Sequence, residues 1–323
     1  MNRDDLPTMK NNQSTVAVLI PCYNEEATIY RVISDFKAAL PDAKIYVFDN
    51  NSSDKTIEEA KRAQAIVVSE YRQGKGNVVR SMFRLVEADF YVMVDGDLTY
   101  PASDVHSLLE PVVSGRASMV VGDRHSSKAY EIENTRRFHG AGNRLVRWLI
   151  NKLFRVELKD IMSGYRVFSR FFVKTCPVMS DGFEIETELT LHALDKKFSL
   201  VEVPIGYKDR PEGSVSKLNT FLDGYRILKT ILWLFKDYKP FLFFGFCSFV
   251  FFVLGWSIGV FPVLEYIQTS YVKKVPSAVL AASLEVLAML CLVCGVILDT
   301  IVRQNKEAYE LKLLNYKVLS GER

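Results

Sequence analysis

The chain contains few of the residues that build redox, disulfide and zinc sites. Its 323 residues include four histidines, which are scattered and therefore predict no histidine-based metal site. The five cysteines show neither a disulfide framework nor zinc-ligand spacing. Cys291 and Cys294 form a CxxC pair inside an apolar run, where we interpret them as small packing residues and not as a redox motif.

The N-terminal segment lacks the apolar centre of a signal peptide. Residues 1–15 are polar, and we expect them to be disordered or flexible. The domain that follows is expected to stay in the cytosol. Repeats and low-complexity stretches are also absent from this part of the sequence, which argues against a solenoid.

Long uncharged runs are absent from the first 238 residues and dominate the region after them. Residues 241–264 carry no charge, and residues 277–302 carry only Glu285 and Asp299. Each run is longer than the roughly 20 residues that a helix needs to cross a bilayer. We expect a transmembrane hairpin over residues 240–303 and a cytosolic tail helix over residues 304–323. Two buried core helices are the alternative.

Short apolar strands alternate with segments of helical spacing, which is typical of a mostly parallel sheet with helices on both faces. Strands are predicted at residues 16–20, 44–48, 66–68, 90–94, 117–121 and 199–205. Helices are predicted at residues 26–40, 53–64, 75–86, 103–114, 136–154 and 184–194. The chain is long enough for one sizeable α/β domain over residues 16–215 and an appendage.

Positive charge is concentrated in the middle of the chain. Between residues 122 and 174, twelve Lys and Arg stand against five Asp and Glu. Such a surplus favours an anionic partner, and with an apolar hairpin following, lipid headgroups or a phosphorylated substrate are favoured over nucleic acid. Residues 136–154 and 216–239 also have amphipathic spacing, which predicts helices at a membrane surface. A solvated helix face is the alternative for the basic segment.

Two carboxylates directly follow the predicted strand at residues 90–94. Asp95 and Asp97 are separated by one glycine, at a strand end of the kind where α/β sheets bind ligands. Such a pair can hold Mg²⁺ or Mn²⁺ and leave other coordination positions for phosphate oxygens. The pattern therefore predicts an enzyme that splits a nucleotide diphosphate.

Polar side chains at the first two strand ends predict a nucleoside site. Glu25, Asp49 and Asn50 are expected to converge with Asp95 on the base and ribose. The QGKG stretch at residues 73–76 resembles a phosphate loop but does not match GxxxxGK[ST], so a Walker ATPase is not predicted. Lys75 is expected to reach the donor phosphates. A plain helix start is the alternative for this stretch.

The motifs IPCYNEE, DNNSSDKT, GKGNVVR, VDGDLTYP, SGYRVFSR and RPEGSVSKL together resemble glycosyltransferase family 2. Within it, they are similar to dolichyl-phosphate mannose synthases and bacterial polyprenyl-phosphate glucosyltransferases. The resemblance implies a GT-A (Rossmann-like) nucleotide-sugar domain, an interfacial helix, a two-helix transmembrane hairpin and an inverting mechanism. It implies that the residues holding the nucleotide are Pro21, Tyr23, Glu25, Asp49, Asn51, Lys75 and Asp95.

The resemblance also implies a metal site and a phosphate clamp. Asp95 and Asp97 would hold the cation, although Thr99 stands where many relatives have a glutamine ligand. The lipid phosphate would be received by Arg124, Arg166, Arg210, Ser216 and Lys217, with Arg124 and Arg166 catalytic. Pairing of these arginines with Asp123, Asp160 and Asp209 is the alternative. Glu184 and Glu186 are expected to position the sugar, because an ionised phosphate acceptor needs no general base.

These observations predict a membrane-anchored, multi-pass enzyme with a cytosolic catalytic domain. It would transfer one sugar from UDP-glucose or UDP-GlcNAc, with GDP-mannose also possible, to polyprenyl (undecaprenyl) phosphate for cell-envelope glycan modification. A homo-oligomer is expected, and no nucleic-acid partner; the tail is expected either to pack between subunits or to form a surface helix. The alternatives are a transferase with a hydroxyl acceptor, as in polysaccharide synthesis, and a membrane scaffold that binds nucleotide-sugar without turnover.

Overall fold

The computed structural model of this chain describes residues 14–126, 137–182, 184–208 and 236–320. The chain divides into two units, Met1–Thr220 and Phe221–Arg323, which we call the catalytic unit and the two-helix unit. Most of the predicted interfacial segment at residues 216–239 and most of the predicted flexible N-terminus lie outside the described residues.

As far as residue 154, the catalytic unit alternates strands and helices in the predicted order. Its strands are β1 (Val16–Cys22), β2 (Lys44–Asp49), β3 (Ile66–Ser69), β4 (Phe90–Met93), β5 (Met119–Asp123), β6 (Arg166–Ser169) and β7 (Leu200–Pro204). Its helices are α1 (Ile29–Ala39), α2 (Thr56–Arg62), α3 (Lys75–Leu85), α4 (Val105–Val113), α5 (Arg137–Phe154), α6 (Arg170–Thr175) and α7 (Ile185–Asp195).

The seven strands form one sheet in the order β3-β2-β1-β4-β6-β5-β7. All neighbouring pairs are parallel except those of β6, which runs antiparallel to β4 and β5. The sequence analysis did not predict β6 or α6, because four residues in a basic segment carry too little periodicity. The chain turns from β1 towards β2 on one side and later inserts β4 on the other, so a topological switch point lies beside β1.

Helices cover both faces of this sheet, as predicted. On one face, α1, α2 and α4 pack against alternate residues of β1, such as Val18 and Ile20. On the other face, α3, α6 and α7 pack against Ala17 and Leu19. A fully buried side chain of this size contributes roughly 1.5–3 kcal/mol to folding, so the two layers hold the strand ends in place.

The two-helix unit consists of α8 (Pro240–Thr269) and α9 (Val275–Ser320). Both helices are long and apolar enough to cross a membrane, and most of their apolar side chains are exposed. They run antiparallel and touch at small residues, with Gly259 beside Ala281 and Gly295 beside Phe244. Because these side chains are exposed, the structure does not support the alternative of two buried core helices.

Helix α9 continues without a break through the predicted tail. Its 46 residues make it about 69 Å long, more than twice the roughly 30 Å of a bilayer's hydrocarbon core. The tail predicted over residues 304–323 is therefore, as far as residue 320, an extension of the second apolar helix. Its proposed role in a homo-oligomer stays a prediction.

Candidate active site

The turn after β4 carries the two carboxylates that the sequence singled out. Asp97 is buried, and its Oδ1 accepts hydrogen bonds from Thr99 N at 3.2 Å and from Thr99 Oγ1 at 2.6 Å. Asp95 is partly exposed, and its Oδ1 accepts from Lys75 Nζ at 2.6 Å. Thr99 thus orients Asp97, which explains why a threonine can stand at this position.

The donor set of this turn fits Mg²⁺ or Mn²⁺. Both ions prefer oxygen ligands, and Mg²⁺ is typically bound by one or two carboxylates together with substrate phosphates. In the part of the chain that the structure describes, no three His, Cys, Asp or Glu side chains are grouped to hold a metal ion. Asp95 and Asp97 would therefore share such an ion with phosphate oxygens and water.

Gly96, between the two carboxylates, is held from two sides. Its carbonyl accepts a hydrogen bond of 2.6 Å from the buried hydroxyl of Thr28. The Sγ atom of Cys22 lies 2.9 Å from the place where a Cβ of residue 96 would stand, so a side chain there would force Cys22 to move. The sequence analysis missed Thr28, because a threonine before a helix predicts a helix cap and not a contact with a distant turn.

The loops after β1 and β2 are tied together by side-chain hydrogen bonds. Asn24 donates its backbone N–H to Ser52 Oγ at 2.9 Å, and its Oδ1 accepts from Ser53 N at 2.8 Å. Glu25 N donates to Thr56 Oγ1 at 2.8 Å. The predicted nucleotide residues Pro21, Tyr23 and Glu25 therefore sit on a braced surface, with the Tyr23 ring exposed.

Asp49, at the end of β2, has a buried oxygen that no described residue satisfies. Its Oδ2 accepts from Ser52 N at 3.2 Å, whereas Oδ1 has no hydrogen-bond partner in the described part of the chain. Buried polar atoms are nearly always hydrogen-bonded, so an orphaned acceptor at a strand end indicates a position for a ligand N–H. The predicted role of Asp49 in holding the base gains support from this geometry.

The two asparagines that follow Asp49 have different structural roles. Asn50 is buried and clamps the loop before α3, donating to Glu70 O and Arg72 O at 2.8 Å each and accepting from Gly74 N at 2.7 Å. Asn51 is exposed, has a φ of 61°, and donates to Tyr71 O at 2.9 Å. Asn51 is thus placed at the rim of the loop, whereas Asn50 supports it from inside.

The QGKG stretch begins α3, but its glycines serve packing. A Cβ on Gly74 would lie 2.1 Å from Asp181 O, and one on Gly76 would lie 2.1 Å from Ser180 O. The N–H of Gly76 donates to Asp181 O and Gly182 O, at 3.1 Å each. We call residues 178–182 the strap. Its carbonyls therefore accept the hydrogen bond that a phosphate loop would donate to a phosphate oxygen. Lys75 remains directed into the site.

The acidic helix α7 brings one of its carboxylates to Lys75. Glu186 Oε1 lies 2.5 Å from Lys75 Nζ, and the Glu186 side chain is buried. Glu188 instead accepts from Met179 N and Ser180 N at 2.8 Å each and so holds the strap. Glu184 precedes α7 and lies against Gly182. Of the two predicted sugar-positioning residues, Glu186 is the one joined to Lys75 and Asp95.

Arg124, predicted to bind phosphate, already has an anionic partner in this structure. Its Nε and Nη2 donate to the two carboxylate oxygens of Asp160 at 2.6 and 2.9 Å. Burial alone would raise the pKa of Asp160, but the hydrogen bonds and charge of Arg124 outweigh it and hold the pKa below its usual value. Arg124 is therefore paired with an aspartate, as the alternative interpretation of the sequence expected.

Arg166 lies inside the catalytic unit with no exposed surface, and this geometry argues against direct phosphate binding. It donates to Ser163 O at 2.8 Å, to Ile161 O at 2.5 Å and to Thr190 Oγ1 at 3.0 Å. Burial lowers the pKa of its guanidinium to about 10. Arg166 thus joins the segment before β6 to α7. The sequence analysis expected Arg166 to receive the lipid phosphate, because the family resemblance implies this role.

The other members of the predicted clamp, Arg210, Ser216 and Lys217, lie outside the described residues, as does Asp209.

The segment that Arg166 secures forms a wall beside Asp95. A Cβ on Gly164 would lie 2.3 Å from Asp95 Oδ2, so this carboxylate rests directly on the glycine backbone. Gly164 N donates to the Tyr100 hydroxyl at 3.0 Å, and burial raises the pKa of that hydroxyl above its ordinary value. Within the SGYR motif, Gly164 therefore contacts the site, while Arg166 holds the segment in place.

Helix α5 presents an apolar and basic face to solvent. Val146 and Ile150 are buried against the domain, whereas Leu145 and Trp148 are exposed. Lys152 Nζ lies 4.8 Å from the centre of the Trp148 ring. The predicted amphipathic helix is confirmed in this part of the chain.

Comparison with known proteins gives a consistent set of relatives. The profile described as Glycosyl transferase family 2 matches residues 17–176. Glycosyltransferase AglJ from Haloferax volcanii is 32% identical over 293 residues, which cover 90% of this chain and 95% of that protein. The dolichyl-phosphate hexose transferase of the same organism is 28% identical over 217 residues, covering 67% of this chain and 92% of that protein.

Among solved structures, a similar fold occurs in glucosyl-3-phosphoglycerate synthase from Mycobacterium tuberculosis, crystallised with Mn²⁺, uridine diphosphate and phosphoglyceric acid. The TM-score is 0.58 at 22% sequence identity, over 69% of this chain and 78% of that chain. The likeness establishes a GT-A-like mixed sheet of the Rossmann type. The predicted fold class is confirmed.

Proposed function

The chain belongs to glycosyltransferase family 2, and from this premise we propose that it transfers one sugar from a nucleotide diphosphate donor to a polyprenyl phosphate at a membrane surface. The observation that carries the proposal is the arrangement at the switch point of the sheet. There, the orphaned Oδ1 of Asp49 and the carboxylates of Asp95 and Asp97 stand at the ends of β2 and β4, on either side of β1.

Asp49 favours a uridine donor. Uracil presents a single ring N–H between two carbonyls, and Asp49 offers a single orphaned acceptor because its other oxygen receives Ser52 N. Guanine presents adjacent ring and amino N–H groups and would use two acceptors. We therefore favour UDP-glucose or UDP-GlcNAc over GDP-mannose.

The reaction requires two anions to approach each other. An oxygen of the acceptor phosphate attacks the anomeric carbon, the bond from that carbon to the donor diphosphate breaks, and the nucleoside diphosphate leaves with inversion. Because the second pKa of a phosphate monoester is near 6, the acceptor is ionised at neutral pH and needs no general base. A divalent cation held by Asp95 and Asp97 would neutralise charge on the leaving diphosphate.

The protein's own residues then align the reactants. Lys75 would supply a further positive charge beside Asp95, and Glu186, its other partner, would accept hydrogen bonds from sugar hydroxyls. Holding the acceptor in line with the breaking bond replaces a bimolecular encounter, and this lowers the activation free energy by several kcal/mol. The residues expected to receive the acceptor phosphate are Arg124, Arg210, Ser216 and Lys217.

Three observations support a lipid acceptor. One relative, from Haloferax volcanii, is a dolichyl-phosphate hexose transferase. The same chain carries two helices long and apolar enough to cross a membrane. Helix α5 exposes Leu145, Trp148 and Lys152, the combination found in helices that lie in lipid headgroups. We propose that the catalytic unit works on the cytosolic side of the cell membrane.

The test uses the full chain in nanodiscs with undecaprenyl phosphate, Mg²⁺ or Mn²⁺ and one radiolabelled donor at a time. We expect a lipid-linked sugar from a UDP-sugar, with inverted configuration by NMR. No lipid-linked product from any of UDP-glucose, UDP-GlcNAc and GDP-mannose would refute the proposal. Transfer to a soluble oligosaccharide instead would favour a hydroxyl acceptor, and donor binding without any product would favour the scaffold.

A further inference from the structure

The ammonium group of Lys75 lies between two carboxylates that come from different parts of the fold. Its Nζ is 2.6 Å from Asp95 Oδ1, after β4, and 2.5 Å from Glu186 Oε1, on α7. The side chains of Lys75, Asp95 and Glu186 are 12, 27 and 8% exposed. One positive charge therefore forms ion pairs with two carboxylates, and all three side chains are largely enclosed.

The backbones that carry this triad are anchored. Gly76, next to Lys75, donates its N–H to the strap, and Gly74 donates to Asn50. Asp95 rests on the backbone of Gly164, and Glu186 O accepts from Thr190 Oγ1 at 2.9 Å. The part with freedom to move is the lysine side chain, with its flexible four-carbon stem.

Electrostatics keep the ammonium where it is until another anion arrives. Burial alone would lower the pKa of Lys75, but the charges of Asp95 and Glu186 outweigh it and raise the pKa above its ordinary value. The lysine is therefore charged, and removing it would leave two enclosed carboxylates without a counter-ion. Uncompensated charge of this kind is strongly unfavourable.

We propose that Lys75 is an internal counter-ion that occupies Asp95 while the donor is absent, and that the donor diphosphate draws its ammonium away, so that donor and divalent cation bind cooperatively. The inference rests on the proposed function, because it takes Asp95 as a cation ligand. The same oxygen, Asp95 Oδ1, cannot serve the ammonium and a divalent ion equally well. A diphosphate offers the ammonium a new partner and so releases this oxygen.

Cooperativity of this kind has a measurable form. If the donor tightens cation binding by some factor, the cation must tighten donor binding by the same factor. In the wild-type protein, part of that factor comes from freeing Asp95 of Lys75. A variant without the ammonium should bind the cation more tightly before any donor is present, and should gain less from the donor.

The experiment measures Mn²⁺ binding to the full chain in nanodiscs by electron paramagnetic resonance, with and without UDP. For Lys75→Met we expect donor-free Mn²⁺ affinity to rise about tenfold, because a competing charge within ion-pair distance has gone. The factor by which UDP tightens Mn²⁺ binding should fall by a similar amount. Unchanged or weaker donor-free affinity in Lys75→Met would overturn the inference.

Lys174→Met is the matched control. Lys174 is similarly enclosed, at 15% exposure, and is paired with Glu87. It also donates to Phe83 O and Val86 O, at the far end of α3, about 15 Å from Lys75 along the 11 residues of this helix. We expect no change in Mn²⁺ affinity for this variant. An equal rise would indicate a general effect of net charge and overturn the local role of Lys75.

A second pair of variants covers the case in which Lys75→Met does not fold. Lys75→Met combined with Glu186→Gln removes one charge of each sign, and its reference is Glu186→Gln alone. The double variant should bind donor-free Mn²⁺ more tightly than its reference, and equal affinities would overturn the inference while leaving the proposed function intact. Failure of the wild-type protein to bind Mn²⁺ even with UDP would overturn both.

Discussion

Phenylalanine side chains occupy opposite environments in the two units of this chain. In the catalytic unit, Phe36 and Phe168 are buried in the cores on the two faces of the sheet. In the two-helix unit, Phe246 and Phe261 are among the most exposed residues, and Trp256 is exposed as well. Soluble domains rarely expose apolar surface on this scale, whereas helices surrounded by lipid do so along their whole length.

Several side-chain hydroxyl groups also have different kinds of hydrogen-bond partner in the two units. In the catalytic unit, the hydroxyls of Thr28 and Thr99 reach a carbonyl and a carboxylate of the turn after β4. In the two-helix unit, Ser257, Ser283 and Thr300 donate to the carbonyl four residues earlier in their own helix. These two hydroxyls of the first unit therefore support the acidic turn, whereas those three of the second unit are satisfied within their own helices.

The largest expected effect concerns Asp97 in the catalytic unit. We expect Asp97→Asn to slow lipid-linked sugar formation by about 100- to 1,000-fold, because the negative charge of the carboxylate beside the donor diphosphate is lost. The amide oxygen can still accept from Thr99, so the thermal unfolding temperature should hardly change. Asp35→Asn, at an exposed ion pair with Arg31, is the control and should keep wild-type rates in the radiolabel assay. A near-normal rate for Asp97→Asn would contradict the site.

A matched pair of lysine substitutions tests the contrast between the units directly. Leu290 in α9 and Val113 at the end of α4 are equally exposed, at 55 and 56%. Leu290→Lys should disfavour membrane insertion by about 3 kcal/mol, because the charge would face lipid. Val113→Lys should change the free energy of unfolding by less than about 0.5 kcal/mol, because it would face water.

Carbonate extraction of membranes measures the first effect, and denaturant unfolding measures the second. Equal membrane retention of Leu290→Lys and wild-type protein would contradict a membrane-spanning α9.

Two glycines, one from each unit, test whether close approach matters for function. In Gly164→Ala, the new methyl group would collide with Asp95 Oδ2 and displace this carboxylate. We expect transfer to slow by about a hundredfold, as small displacements in active sites do. Gly245 in α8 has nothing within 4 Å of an added Cβ, and Gly245→Ala should be neutral. Activity assays on both variants check this, and a fully active Gly164→Ala would refute the tight contact.

The smallest expected effect concerns the hydroxyl that the sequence did not reveal. Thr28→Val keeps the shape of the side chain but leaves the buried carbonyl of Gly96 without its donor. We expect kcat to fall about tenfold with little change in the KM of the donor, because an unsatisfied buried acceptor disturbs the turn by roughly 1–3 kcal/mol. Thr28→Ser, which restores a hydroxyl, should recover most of the rate. If both variants were equally slow, methyl packing and not the hydrogen bond would be responsible.

Several features of the site could be predicted because they depend on local patterns. Apolar runs that end in polar residues indicated where β1, β2 and β4 stop, and hence where Asp49, Asp95 and Asp97 lie. Parallel strands bring their carboxyl ends to one edge of the sheet, so the convergence of these residues could be inferred from the sequence. The confirmed family and fold class rest on the same motifs.

Other features could not be predicted, because they depend on partners that are distant in the sequence. The four residues of β6 carry too short a pattern, and their antiparallel direction depends on the strands beside them. Arg166 is buried because carbonyls of residues 161 and 163 and the hydroxyl of Thr190 meet its guanidinium. Helix α9 runs past its apolar span because nothing in its charged C-terminal part breaks a helix.

By itself, the amino-acid sequence determined the alternation of strands and helices, the positions of the acidic turn and the apolar helices, and the family to which the chain belongs. Periodicity and strand-end chemistry are local properties, and they need no knowledge of the neighbours. Only the tertiary structure decided that Lys75 bridges Asp95 and Glu186, that Thr28 secures Gly96, and that Arg166 faces inward. Each of these depends on distances between distant segments, which are set by how the layers pack and not by the identity of any one residue.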